Sequence, residues 1–452
     1  MDHPKPKPRR TGAWSRRCAI ALVAPLLLPS ACDALPPAGT AFPDAEGFGR
    51  FTKGGRGGAI IQVTNLNDSG PGSLRACIDS DGPRVCVFRV GGVIRFASKR
   101  PIIHNPYLTI AGETAPGGGI LLTHAGGPDG LTPLAIKNSH DIVIRHIRVR
   151  TDLAGAQRGS NDAFTIDNSR NVILDHVSGS WALDENVNGS TQADNITISW
   201  SIFAEGIARH DKCALLGSDP TGPQQFSFIK NLCAHNGDRN PDVNFMPGSC
   251  VEVINNVLYN AKHQFAEVWE SYGGSPVNIV GNYFKAGPDT ASGTPAIDRQ
   301  VIGSTGRARI YLEGNQLDGD LVVQSPPVAV AVVPLPVCEL PNSILDASGA
   351  YTQVLAHAGA FPRDAVDRRI VSEVRERGGS LKRRLGVLPA IAGGTPYPDA
   401  DRDGMSDTWE RENGLDPTVN DAWRDKDGNG WANLEEFLDY AHHRLLAGRI
   451  VS

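Results

Sequence analysis

The chain is poor in several things, and each shortage excludes something. Aromatic residues make up only 6% of its 452 residues while glycine contributes 50, a balance that argues against a leucine-rich helical bundle. Beyond the N-terminal region, no stretch approaches the ~18 uninterrupted apolar residues of a membrane-spanning helix. No CxxC pair occurs, which removes the usual signature of a structural zinc site. Excess positive charge is missing too: the net charge of -5 provides no overall attraction for nucleic acid. Apolar residue is not scarce, at 40%, so a sizeable core forms and wholesale disorder is excluded. The length suits about three domains, or one long repetitive domain with additions.

The first 34 residues stand apart. Arg9, Arg10, Arg16 and Arg17 precede an apolar run from Cys18 to Leu28, and small residues follow at Ser30, Ala31 and Ala34. That order is a secretory signal, with an apolar core too short to span a bilayer. Ser30-Ala31-Cys32 also resembles the end of a lipoprotein signal, so the expected address is secreted or cell-surface, with a lipid anchor at Cys32 as the alternative. Six cysteines remain: Cys77, Cys86, Cys213, Cys233, Cys250 and Cys338. An even set in an exported chain predicts disulfides in one of 15 pairings. Cys77 and Cys86, which flank a short Asp-Gly-Pro turn, are the favoured pair.

From Leu108 to Asn315 one phrase returns at spacings of roughly 24 to 34 residues, a solenoid period. Alternating apolar residues lead into a turn rich in Gly, Asn and Asp, as in IVIRHIRV at 142, VILDHVSG at 172, ITISWSIF at 196 and VEVINNVLY at 251. Alternation with period two makes the units strands. Asn231, Asn256, Asn282 and Asn315 each stand five residues after the first apolar position of their copy. Amides stacked in such a column donate to one neighbour and accept from the other. The column favours a parallel β-helix over leucine-rich or helical repeats. A β-sandwich is the other reading, but its strands recur every ~8–12 residues.

The β-helix is expected over 41–316, a C-terminal cap over 317–380 with helices at Ala347–His357 and Asp364–Glu376, and a Gly/Pro-rich linker over 381–398. Residues 399–446 carry two twelve-residue loops of the EF-hand-like kind. Asp399, Asp401, Asp403, Asp407 and Glu410 occupy positions 1, 3, 5, 9 and 12 of the first, and Asp425, Asp427, Asn429, Asn433 and Glu436 the same positions of the second. With Gly404 and Gly430 at position 6, these are the spacings by which oxygen ligands wrap one Ca²⁺. Twelve acids and four bases lie between Asp399 and Glu436, so most of the acidity of the chain belongs to this module.

AEGFGRFTKGGRGG at 45–58 and VTNLNDSGPGSLR at 63–75 are similar to the opening of bacterial pectate lyases of polysaccharide lyase family 1. DNSRNVILDHVSGSW at 167–181, HDKCALLGS at 210–218 and the Arg-Asn-Pro of 239–241 resemble further motifs of that family. The resemblance implies a right-handed parallel β-helix of the pectin lyase-like class. It also implies an exported, calcium-dependent enzyme that cleaves de-esterified polygalacturonate by β-elimination to unsaturated oligogalacturonates. Its partner would be acidic plant cell-wall polysaccharide, and the enzyme would act as a monomer.

The same resemblance assigns roles. Asp162 and Asp184 match calcium-binding aspartates, and Asn188 falls where the family commonly has a third carboxylate. Lys212 matches the lysine that holds substrate carboxylate, and Arg239 the proposed Brønsted base. An arginine is an awkward base because it is protonated at any ordinary pH; desolvation, Ca²⁺ and Lys212 are expected to lower its pKa. Asp242 and Asn244 stand where many relatives have further arginines. Asp175 and His176 are expected to be structural. The alternatives are a pectin lyase or other uronate-polymer lyase, a polygalacturonase, for which no tight Asp-Asp motif appears, and a non-catalytic glycan-binding β-helix.

Overall fold

The structure, a computed structural model, describes residues 39–124, 132–151, 161–304, 306–341 and 343–451. The signal and Cys32 lie outside the described residues. No helix among them is long and apolar enough to cross a membrane.

The strands stack into three parallel sheets of ten, nine and nine strands, each new coil adding one strand to each sheet. This is a parallel β-helix of about nine turns. Period-two alternation sends every second side chain inward, so one coil's apolar residue sits on that of the coil below. In the first sheet the register links Ile110, Ile144, Leu174, Ile198, Phe228, Val253 and Ile279 in one ladder, all but Leu174 fully buried. Burying each such side chain is worth about 1.5–3 kcal/mol.

At the corner after the first sheet, the residue before each ladder asparagine is left-handed: Lys230 has φ 56°, Asn255 56°, Gly281 62° and Gly314 62°. The asparagine then bonds up and down the stack. Asn256 Oδ1 accepts from Asn231 N–H at 2.8 Å, while Asn256 Nδ2 donates to the Phe228 carbonyl at 2.9 Å and to Asn282 Oδ1 at 3.0 Å. Asn282 repeats the pattern onto Asn315.

Covering elements leave one face free. Helices Ala347–His357 and Ala365–Glu376 pack on Ile202, Leu232 and Val257 of the third sheet. There Arg150, buried in the strand Ile147–Arg150, donates to Asp364 at 2.9 Å and to Asp367 at 2.8 Å. The C-terminal module packs Met405, Trp409, Leu434 and Phe437 on Val85, Val87 and Ala111 of the first sheet. Residues 381–398 form no regular helix or strand, yet they lie along the coils rather than free in solvent. Gly118 N–H donates to the Ala392 carbonyl at 2.9 Å, and Tyr397 is buried. The second sheet meets the short helix Pro326–Ala329 at its strand Thr294–Val301, and no long helix covers it among the described residues. Its strands run from Ile102–Ile103 to Leu321–Gln324.

Candidate active site

The second sheet gathers the titratable residues. Glu185 opens the strand Glu185–Ser190 and pairs in register with Lys212, which opens Lys212–Ser218. Asp162 precedes the neighbouring strand Phe164–Asp167, and Lys212 bridges to Asp238 on the next coil. Adjacent parallel strands lie about 4.8 Å apart, so residues some 20–30 apart in sequence become neighbours along one column.

Asp162, Asp184 and Glu185 each bring a carboxylate oxygen within 4.8 Å of the others. Asp162 is held from two sides: Thr165 Oγ1 donates to its Oδ2 at 2.7 Å and Glu185 N–H to its Oδ1 at 3.3 Å. Burial first, and then the charge of Asp184, push its carboxyl above the ordinary range, against the hydrogen bonds of Thr165 and Glu185. Burial also raises Glu185, followed by Asp162 and Asp184. Asp184 Oδ1 meets His210 Nδ1 at 3.2 Å.

Glu185 is an acid of this cluster that the motifs did not name, and Asn188 lies beside it. The Asn188 amide bonds to Asp162, and its own Oδ1 is buried without a partner. Crowded acids that raise one another, beside an orphaned amide oxygen, fit a hard, oxygen-seeking divalent cation.

Arg239 reaches the cluster through Glu185, to which its Nη1 donates, and its Nε lies 3.8 Å from Asp242. Its guanidinium stands over the Trp269 ring, 5.1 Å from the centroid. Burial alone would lower its pKa, but Glu185 and then Asp242 outweigh that, and the net shift is upward. The expected downward shift is therefore reversed by the protein's own acids. Lys212 pairs through its Nζ with Asp238, whose charge adds to the upward shift of Arg239. Asp242 is fully buried, faces Glu267 across the register, and is pushed well above the ordinary carboxylate range by burial and then by Glu267.

Asp175 and His176 sit on the first sheet. Asp175 accepts from His176 Nδ1 at 2.7 Å, from Ser199 at 2.8 Å and from Arg145 at 3.2 Å. His146 and His442 complete this group. Phe361 N–H donates to His146 Nδ1 at 3.1 Å, which leaves the proton on Nε2, 2.9 Å from His442 Nδ1. That nitrogen is occupied by a hydrogen bond, so the three rings form a packing contact between coil and module rather than a ligand set.

The sequence model of the pectate lyase family, described as "Pectate lyase", matches residues 117–294. Probable pectate lyase C of Aspergillus flavus is 35% identical over 428 residues, covering 87% of this chain and 92% of the fungal one. The chain belongs to the pectate lyase family. It is accordingly a polysaccharide lyase. Probable pectate lyase C of Emericella nidulans is 34% identical over 417 residues, covering 87% and 91% of the two chains, and probable pectate lyase 4 of Arabidopsis thaliana is 28% identical over 276, covering 57% and 67%. These relatives are fungal and plant proteins, and what they establish is the pectate lyase family as a whole. The crystal structure of Jun a 1, the major allergen from cedar pollen, superposes with a TM-score of 0.54 at 19% identity, covering 70% of this chain and 92% of that one. At that identity the likeness speaks for the fold alone.

Proposed function

We propose that this pectate lyase is exported and cleaves de-esterified polygalacturonate by Ca²⁺-dependent β-elimination on the second sheet, releasing 4,5-unsaturated oligogalacturonates. The observation that carries the reading is the convergence of Asp162, Asp184 and Glu185 beside Arg239 and Lys212 on the face left free by the covering helices. Three disulfides, Cys77–Cys86, Cys213–Cys233 and Cys250–Cys338, support export to an oxidising compartment.

Asp162, Asp184 and Glu185 would hold the ion. When bound, Ca²⁺ supplies the positive charge that neutralises the uronate carboxylate next to C5 and makes that carbon acidic. Lys212, kept in place by Asp238, offers an ammonium to a sugar carboxylate. Arg239 takes the C5 proton. The C5–H electron pair becomes the second C4–C5 bond, and the C4–O bond breaks with its electron pair going to the oxygen of the leaving chain, which takes up a proton from water. Glu185 and Asp242 fix the guanidinium against Trp269 but also keep it charged. A cation held by Glu185 would weaken the hold of that carboxylate on the Arg239 proton and so favour its role as base.

Incubation with polygalacturonate, with and without chelator, tests this through the ultraviolet absorbance of the unsaturated product. Growth that chelation abolishes is expected. New reducing ends without absorbance would mean hydrolysis instead. Arg239→Ala should lower turnover by about 10²–10⁴-fold with unchanged circular dichroism; activity near wild type removes Arg239 from the reaction.

A further inference from the structure

The two C-terminal loops match one spacing in sequence, but their side chains are used differently. In the second loop the protein satisfies its own acids. Asp425 accepts backbone N–H groups from Gly428, Asn429 and Gly430, and the Asn429 amide donates to Asp427 at 3.1 Å and to Glu436 at 2.8 Å. In the first loop Asp399, Asp401 and Asp403 converge, and Asp403 also converges with Glu410 and Asp421. Asp403 and Glu410 are fully buried. Four carboxylate oxygens there, Asp401 Oδ2, Asp403 Oδ2 and both of Glu410, are buried with no hydrogen-bond partner. Acids gathered in this way are strongly unfavourable unless a cation joins them.

Loop spacing gives position nine to Asp407, yet that carboxylate is spent elsewhere. Its Oδ1 accepts the Ala400 N–H at 2.8 Å and its Oδ2 pairs with Arg411 at 3.3 Å. Asp421, from the segment between the loops, faces Asp403 and Glu410 instead. It is fixed there by Asn433, whose Nδ2 donates to its Oδ1 at 3.1 Å and to its carbonyl at 2.9 Å. The same loop touches the first coils. Gln62 Nε2 donates to Asp399 Oδ2 at 2.8 Å and Arg89 lies 3.8 Å from that oxygen, while Tyr397, in the segment just before the loop, donates its OH to the Gly404 carbonyl at 2.7 Å. Gly404 turns the loop with φ +88°, a conformation that suits glycine.

We propose that Asp399, Asp401, Asp403, Glu410 and Asp421 hold one hard divalent cation of the Ca²⁺ class, with Asp421 replacing Asp407, and that this ion locks the module onto the first coils. An all-oxygen donor set of this charge selects Ca²⁺ over softer metals. The site lies on the first sheet and stands apart from the lyase reading.

The test uses the full chain carrying Asp184→Asn, which weakens the second-sheet cluster, and reads Ca²⁺ bound by equilibrium dialysis together with the thermal unfolding midpoint rather than turnover. Glu410→Gln and Asp421→Asn should each weaken binding at this site by about 10–100-fold and remove most of the Ca²⁺-dependent rise in midpoint. Asp407→Asn should change affinity by less than about twofold, since its oxygens serve the backbone and Arg411. In chelator the order inverts: the Glu410→Gln/Asp421→Asn pair should unfold at or above the temperature of its parent, because repulsion has been removed. Loss of binding in Asp407→Asn with retention in Asp421→Asn would overturn the wiring. Unchanged Ca²⁺ stoichiometry in the double variant, or a double variant less stable than its parent in chelator, would overturn the site.

Discussion

Glu185 shows where reading residues by spacing stops. Asp162, Asp184, Lys212 and Arg239 lie near one another on the second sheet, and Glu185, which the motifs did not name, joins Asp162 and Asp184. Asp184, Glu185 and Asn188 all stand in LDENVN, but the motifs single out only Asp184 and Asn188. Choosing between Glu185 and Asn188 needs the register, because Glu185 opens its strand directly opposite Lys212 while Asn188 lies three residues further along. Two adjacent acids at a strand start were the signal that pointed to Glu185. We expect Glu185→Gln to raise the Ca²⁺ concentration for half-maximal rate by about tenfold or more, as loss of a ligand charge does. Asn188→Ala removes an amide that bonds Asp162 and a neutral oxygen rather than a charge, and should raise it less. Rates measured across a calcium series decide this, and the reverse order would return the ligand role to Asn188.

Among the elements, the asparagine column was the most legible, because a polar residue that recurs at one phase of an apolar repeat is costly to bury unless its copies bond to one another. Its energetics follow from what each amide satisfies. Replacing Asn256 by Ala leaves Asn231 N–H and the Phe228 carbonyl without their partners inside the wall, at a cost of about 2–5 kcal/mol for two buried groups. Asn315→Ala, at the less buried end of the column, should cost about 1 kcal/mol. Urea unfolding of the two variants measures the difference, and equal costs would mean that the column does not carry the coils. The helices Ala347–His357 and Ala365–Glu376 were also readable: Asp364 caps the second by accepting from Val366 and Asp367 N–H, both at 2.9 Å. That this helix would also meet Arg150 was not, since 214 residues separate the partners.

On the scale of the whole molecule, the solenoid is wrapped on two faces, and the wrapping carries a pH dependence. His146 and His442 are buried where module meets coil, facing Arg145, Asp175, His176, Glu113, Asp439 and His443. Burial first, then neighbouring positive groups, hold both well below the ordinary histidine range, so both are neutral in the fold. The unfolded chain takes up those protons near pH 6.5. Their contribution to stability is therefore full above that pH and lost below it, at about 1.4 kcal/mol per pH unit for each ring. Glu113, pushed up to about 7 by burial against the pull of Arg145, acts oppositely between its unfolded value and that pH. Comparing wild type with His442→Gln cancels the other groups. The variant's stability between pH 6.5 and 5, in excess Ca²⁺, should fall less steeply by about one proton's slope. Parallel curves would show that His442 is not the group being titrated.

The order of the amino acids by itself determined the repeating strands, the asparagine column and the two cap helices, because each follows from periodicity or from contacts within a few residues. The tertiary structure alone decided the pairings Cys213–Cys233 and Cys250–Cys338, the placement of Glu185 beside Asp162 and Asp184, and that of Asp421 beside Asp403 and Glu410. These depend on how one coil is set against the next and on which surface a distant segment covers. Such positions are chosen by packing between residues that the chain separates by tens or hundreds of positions, and no local pattern records them.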